Sequence, residues 1–355
     1  MKRCRWKSFF ENPKPVASNV EPSAIQKRPR RPKWWGIFAI AFVFAFGGVE
    51  ARAQQPTKAA RIGFFDAGSE TGNAVLAEPF RQELSKLGWV EGKNLTVEYR
   101  FADGRTERQD EVAAELVRLK VNLIVVAGVG AALAAKRATT TIPIVMASAG
   151  NPVASGLVAS LAKPGGNVTG FSALASDLTT KRLEVLKDAV PKLSRVGVLL
   201  TVQAPRSGDD LRAAAIALKL TLEEIKTETD TKSFERAFQS AKQKQVGAIM
   251  TTANRALLGA RKSIVELANK HRLPAIYTQK AFVDEGGLMS YGVDYDDLFR
   301  RAAVYVDKIL KGTKPADLPV QQASKFEFII NLKAAKQIDL TLSPEFLSRA
   351  NRVIR

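Results

Sequence analysis

LIVVAGVGAALAAKRATTTIPIVMA, residues 123–147, decides how this chain is built. Five apolar, mostly β-branched residues end abruptly at Gly128-Val129-Gly130. An alanine-rich stretch over 131–138 reads as a helix. A second apolar run, 142–147, reads as another strand. Neither run alternates polar with apolar, which is the pattern of strands covered on both faces of a parallel sheet. Parallel strands need a crossover, and a strand–helix–strand crossover is right-handed almost without exception.

The same alternation extends in both directions. Upstream, the pattern predicts a strand at 60–67 (ARIGFFDA), a helix at 76–87 with Leu76, Phe80, Leu84 and Leu87 on one face, a strand at 95–99 and a helix at 106–119 capped by Thr106. Downstream, it predicts a short helix at 154–161 and a tight turn at Lys163-Pro164-Gly165-Gly166, followed by an extended segment at 167–171. A second series then begins: helices at 178–190, 209–218, 232–244 and 257–271, interleaved with strands at 195–201, 221–226, 246–252 and 274–278. A strand at 287–291 and a long amphipathic helix at 295–310 close it. Two β-α blocks of similar size imply two α/β lobes with parallel sheets and a cleft between them. Ligands of open parallel sheets bind beyond the carboxyl ends of the strands. Those ends carry the polar or small loops 66–73, 128–130, 148–151, 203–208, 252–255 and 279–284. They run into helix N-termini, which favour an anion such as a carboxylate.

The amino-terminal region points outside the cytoplasm. Residues 34–55 (WWGIFAIAFVFAFGGVEARAQQ) place an apolar core after a basic segment and before Ala51-Arg52-Ala53. This is the order of a secretory signal peptide, and the core is short for a membrane span. Residues 1–53 are therefore expected to be a leader cut near Ala53, leaving the protein in the periplasm. They hold 11 of the 54 basic residues and 3 of the 35 acidic ones, so their removal lowers the net charge from +19 to +11. The remaining positive charge is scattered without a run of five, which does not make a nucleic-acid surface.

The chemistry of the chain is restricted. Its single cysteine, Cys4, leaves with the leader, and His271 is its single histidine. Disulfides, thiol nucleophiles and multi-histidine zinc sites are thereby excluded from the expected mature chain. His271 lies near a helix end, where an imidazole suits the negative terminus better than a catalytic triad. Neither G-x-G-x-x-G after the first strand nor G-x-x-x-x-G-K-[ST] nor G-x-S-x-G occurs. No cofactor is implied, and nothing points to an enzyme.

Several strings carry a resemblance. Residues 139–145 (TTTIPIV), Asn151-Pro152-Val153, residues 157–170 (LVASLAKPGGNVTG), 286–291 (GGLMSY) and 310–320 (LKGTKPADLPV) look like the ABC-transporter substrate-binding protein family that includes tryptophan-binding members. Residues 326–334 (FEFIINLKA) and 340–354 resemble its tail. The resemblance implies a type I periplasmic-binding-protein fold, with two Rossmann-like lobes joined by a three-segment hinge. The first lobe would comprise residues 60–170 and 292–319, and the second residues 171–291 and 320–355. It further implies a monomeric receptor that hands a small solute to ABC permease subunits in the membrane. The solute would be an amino acid or a related carboxylate or aromatic molecule.

By the same resemblance, ligand contacts fall on the cleft loops. Asn151 stands where amino-acid-binding relatives carry an aspartate before proline, and Gly128 and Val129 form the loop after the third strand. Asp294 resembles an acid that pairs with a ligand ammonium, although an aspartate there also suits a helix N-cap. Asp66 and Ser69 are polar candidates at the first strand's end. Phe171, Tyr277 and Tyr291 are aromatic candidates for stacking, or core residues. Two alternatives share the same pattern: a sensor partner that presents ligand to a membrane receptor, and a secreted α/β hydrolase.

Overall fold

The computed structural model describes residues 59–173, 175–202 and 208–355. The expected leader and most of the 203–208 loop lie outside these residues. The first series of elements is β1 (Ala60–Asp66), α1 (Glu70–Lys86), β2 (Leu95–Phe101), α2 (Glu107–Arg118), β3 (Leu123–Ala127), α3 (Val129–Ala138), β4 (Ile144–Ala149) and β5 (Val168–Ser172). The second is α4 (Ala175–Ala189), β6 (Arg195–Thr201), α5 (Asp209–Ala217), β7 (Thr221–Thr227), α6 (Thr231–Gln243), β8 (Ala248–Thr251), α7 (Arg255–Gly259), α8 (Arg261–Lys270), β9 (Ala275–Tyr277), α9 (Lys280–Asp284) and β10 (Met289–Val293). The tail comprises α10 (Tyr295–Leu310), β11 (Gln321–Gln322), β12 (Phe326–Asn331), α11 (Leu332–Gln337), α12 (Pro344–Leu347) and β13 (Arg352–Ile354).

Two sheets result. The first has the order β11-β5-β4-β3-β1-β2 and is parallel throughout. The second has the order β13-β12-β10-β9-β8-β6-β7. It is parallel except where β12 runs antiparallel to β10, so both lobes have the parallel-dominated sheets expected. The connection from β10 to β12 passes through α10 and β11 on the other lobe, and the returning chain enters the sheet from the opposite end.

The apolar runs behave as their composition requires. Along β3, Leu123, Val125 and Ala127 join one core while Ile124 and Val126 join the other, and all five residues are buried. One face of the first sheet meets α1 and α10 through Phe64, Phe80 and Phe299. The other meets α2 and α3 through Phe65, Leu116 and Ala132. The second sheet divides likewise, with Val198, Met250 and Ile276 on one face and Leu199, Ile249 and Tyr277 on the other.

The chain crosses between the sheets after β5, β10 and β11. These crossings are tied to one another. The Asp294 amide donates to the Lys325 carbonyl at 3.0 Å, Ala323 donates to Ser172 at 2.8 Å, and the Lys325 ammonium reaches Asp297 at 2.6 Å. Gly170 in β5 has φ 129°, and a Cβ there would strike the Met146 backbone. Only glycine fits that crossing.

Three local expectations are corrected. Residues 154–161 form turns rather than a helix, because Gly156 takes φ +72° within the stretch. The helix expected over 257–271 is two helices, α7 and α8, broken at Ala260, where ψ is 11°. Gly259 lies against Ser69 of the first lobe, and this close approach coincides with the break. α1 begins six residues earlier than periodicity suggests, because Ser69 caps it by accepting from the Gly72 amide at 3.3 Å.

Candidate functional site

The carboxyl ends of both sheets face one cavity of about 930 Å³. From the first lobe come Ala67, the Asp103–Glu107 stretch, Gly128 to Gly130, and Ser148 to Gly150. From the second come Thr201, Glu228, Thr229, Thr252 to Ala256, and Gln279. Thr179 and Thr180 of α4 and Tyr295 of α10 also line it. A volume of this size suits a drug-sized or smaller ligand.

Strand ends explain why these residues meet. β3 stops at Gly128, whose φ of 99° turns the chain directly into α3. No side chain caps α3, so its first amide groups open towards the cavity, a disposition that favours an anion. Asn254 ends the turn after β8 and caps α7, accepting from Ala256 at 2.8 Å and Leu257 at 3.2 Å. The next residue, Arg255, is thereby aimed across the cleft.

Arg255 meets Asp66, the fully buried last residue of β1. Arg255 Nε donates to Asp66 Oδ1 at 3.0 Å, and Nη2 donates to Asp66 Oδ2. This two-pronged pair joins the lobes and is the strong geometry for a guanidinium and a carboxylate. Asp66 also accepts from the Gly68 amide at 2.7 Å. Nearby, Arg261 donates to the Thr71 carbonyl at 3.0 Å, so the first turn of α1 is fastened to α8. The β2–α2 loop is fastened in turn: the Asp103 and Gly104 amides donate to Gly68 and Ala67 carbonyls, each at 2.9 Å.

Of the residues anticipated from sequence, Gly128 and Val129 line the cavity. Asp66 and Ser69 flank Ala67 but are not part of the lining, and are engaged with Arg255 and the α1 cap. Asn151 is exposed and accepts from the Ala154 amide at 3.0 Å. Asp294 caps α10, accepting from the Asp297 amide at 2.9 Å, and is not part of the cavity lining. Three aromatics pack against protein. Phe171 meets Tyr305, Tyr277 stacks on Phe282 with ring centroids 4.8 Å apart, and Tyr291 meets Phe328 edge-on. Phe171 and Tyr277 are wholly buried, and burial pushes the Tyr277 phenol far above its usual range. Residue type suggested both roles for these rings, and neighbours that sequence cannot supply decide between them.

Sequence reasoning missed Tyr295, the Asp103–Glu107 rim and a buried arginine in α4. Arg182 is 1% exposed, and its Nε and Nη1 have no hydrogen-bond partner. Burial pushes its guanidinium down to about 10. A signal was present: Leu178, Arg182, Val185 and Ala189 fall on one helical stripe, so Arg182 occupies an apolar position. His271 is the C-cap of α8 and stacks on Phe238. Among the described residues, no three of His, Cys, Asp and Glu gather to hold a metal ion.

Two α/β lobes closing on a polar cleft, with strand ends from both sides in its wall, define a receptor for a small solute. The family model for ABC transporter substrate binding proteins matches residues 72–354, and the chain belongs to that family. Its members are solute-binding proteins rather than enzymes. A tyrosine-binding protein of Clostridioides difficile (strain R20291) is 28% identical over 262 residues, covering 74% of this chain and 75% of that one. A conserved domain protein from Vibrio cholerae superposes with a TM-score of 0.75 at 27% identity, covering 83% of this chain and 100% of that one. An ABC domain from Streptococcus pneumoniae in complex with L-Trp superposes with a TM-score of 0.72 at 26% identity, covering 82% of this chain and 100% of that one. The fold is that of type I periplasmic binding proteins.

Proposed function

We propose that this protein is the solute receptor of an ABC importer, and that its cleft takes an aromatic amino acid or a closely related aromatic carboxylate. The carrying observation is the cavity itself: both lobes wall it, and the Asp66–Arg255 pair holds them together across it. The ligands of two similar proteins, tyrosine and L-Trp, supply the solute class. Solute entering the open cleft touches both lobes, and its differential affinity for the closed form draws the equilibrium towards closure. The closed receptor then docks on the permease subunits.

The lobes in this reading are residues 60–170 with 292–319, and 171–291 with 320–355, turning on the three crossings. Gly128 and Val129 touch the solute. Asp66, Ser69, Asn151 and Asp294 shape and brace the loops around it, and Phe171, Tyr277 and Tyr291 stiffen the floor. The receptor works as a monomer without a cofactor in the periplasm, after the leader is cut near Ala53.

A thermal-shift screen of the purified protein against the amino acids, aromatic acids and sugars tests the assignment. Ligand at a hundredfold excess over its dissociation constant adds about 2.7 kcal/mol of stability. A rise in Tm confined to L-tyrosine, L-tryptophan or their near relatives is expected. A shift with sugars alone would move the receptor to another solute class.

A further inference from the structure

A buried guanidinium normally has a carboxylate or several carbonyls around it, because an unpaired charge in the interior is strongly destabilising. Arg255, half-buried, follows this rule through Asp66. Arg182 does not: it is as buried as a core leucine, yet Nε and Nη1 are both without partners. Each such group in a folded protein requires an explanation.

Its position supplies one. Thr179, one turn earlier on α4, and its neighbour Thr180 both line the cleft. Tyr295, which also lines the cleft, lies within electrostatic reach of Arg182 and Arg255 together. Arg255 has a spare donor too, since its buried Nη1 is unpartnered. Burial raises the Tyr295 phenol above its ordinary range, so at neutral pH it is an uncharged hydroxyl able to donate. Arg182 itself lies behind this lining rather than in it, so the wall of the cleft near Tyr295 has two cations and a phenol in it or just beneath it, with three guanidinium nitrogens unoccupied.

We infer that Arg182, Arg255 and Tyr295 form an anion seat in the cleft, and that the solute's carboxylate occupies it as the counter-charge of Arg182. A carboxylate presents two oxygens to one guanidinium edge, and the matching fork is Nε with Nη2, the edge that Arg255 already offers to Asp66. The inference rests on the cleft being the solute site. It adds which end of the solute goes where, and it makes the carboxylate obligatory. A lysine at 182 would supply charge without the fork.

Calorimetric titration tests this with paired probes: L-tryptophan against tryptamine, and L-tyrosine against tyramine, on the wild-type protein, Arg182→Met and Arg182→Lys. The amino acids are expected to bind the wild type at least a hundredfold more tightly than the amines. Arg182→Met should lose at least thirtyfold for the amino acids and change little for the amines, with Arg182→Lys between. The ligand-free Arg182→Met protein should melt no lower than wild type, since the replaced charge has no partner; a merely structural arginine would lower it. Amines binding within threefold of the amino acids would overturn the seat, as would an unchanged affinity in Arg182→Met, the outcome if the α3 N-terminus holds the carboxylate instead. If Arg182→Met does not fold, the amine comparison and Arg182→Lys still decide. If no aromatic compound binds, a panel of succinate, L-glutamate, sulfate and neutral sugars separates the two readings. An aliphatic acid that binds wild type and is lost in Arg182→Lys retains the seat and removes the aromatic assignment. Sulfate binding in place of carboxylates, sugar binding alone, or no binding overturns the carboxylate seat.

Discussion

Arg255 and Arg182 both lie within electrostatic reach of Tyr295 and differ in one respect. Arg255 is answered by a carboxylate of the other lobe, whereas Arg182 is answered by nothing. The first is a contact between lobes that exists without solute. The second is an interaction left incomplete. A solute receptor has use for both: a pair that joins the lobes, and a charge that favours binding only when the right ligand fills it.

Breaking the answered pair should have the largest effect. Asp66→Ala leaves the half-buried Arg255 without its carboxylate and should lower stability in urea by about 3 kcal/mol. A loss below about 1 kcal/mol would mean that the lobes part readily and Arg255 simply returns to water. The unanswered arginine predicts the opposite sign. Arg182→Met should raise the stability of the ligand-free protein by about 1–3 kcal/mol, as when an apolar side chain replaces a poorly compensated buried charge. Asp294→Ala comes next. It removes the α10 cap and should cost about 1 kcal/mol, with affinity for L-tryptophan changed less than threefold. A tenfold loss of affinity would return Asp294 to the solute.

The smallest effect concerns pH. Burial, then the Lys270 and Lys242 charges, hold His271 below its ordinary pKa. The folded chain therefore takes up the proton less readily than the unfolded one. The associated stability is present above the unfolded pKa, near 6.5, and is lost as pH falls towards the folded value. His271→Gln should flatten the slope of stability between pH 7 and pH 5 by a small amount. An unchanged slope would place the acid sensitivity elsewhere.

The fold was legible wherever one rule governed a segment. The runs at 123–127 and 195–201 and the amphipathic stripe at 295–310 became elements with those bounds, because an all-apolar run or a sustained 3.6-residue period leaves few alternatives. Boundaries failed where a distant residue intervened. Nothing near Ala260 announces that Ser69 presses on Gly259, and the antiparallel entry of β12 depends on where α10 returns the chain. The candidate site was legible as loops more than as residues. Gly128 and Val129 could be named because strand ends face ligands. Phe171 and Tyr277 went to the cores, since an aromatic type does not reveal which side of a strand is open. Arg182 was hidden by its neighbours: within LTTKRLEVLKDA it reads as one more surface charge, and only its place on the Leu178–Val185–Ala189 stripe sets it apart.

The most direct test of the account is a crystal structure of the protein grown with L-tryptophan or L-tyrosine. The ligand carboxylate should lie about 2.7–3.2 Å from Arg182 Nε or Nη, with the aromatic ring in the cleft between Gly128-Val129 and the Thr252–Ala256 loop. A ligand whose carboxylate lies elsewhere, with Arg182 still unpartnered, would contradict it.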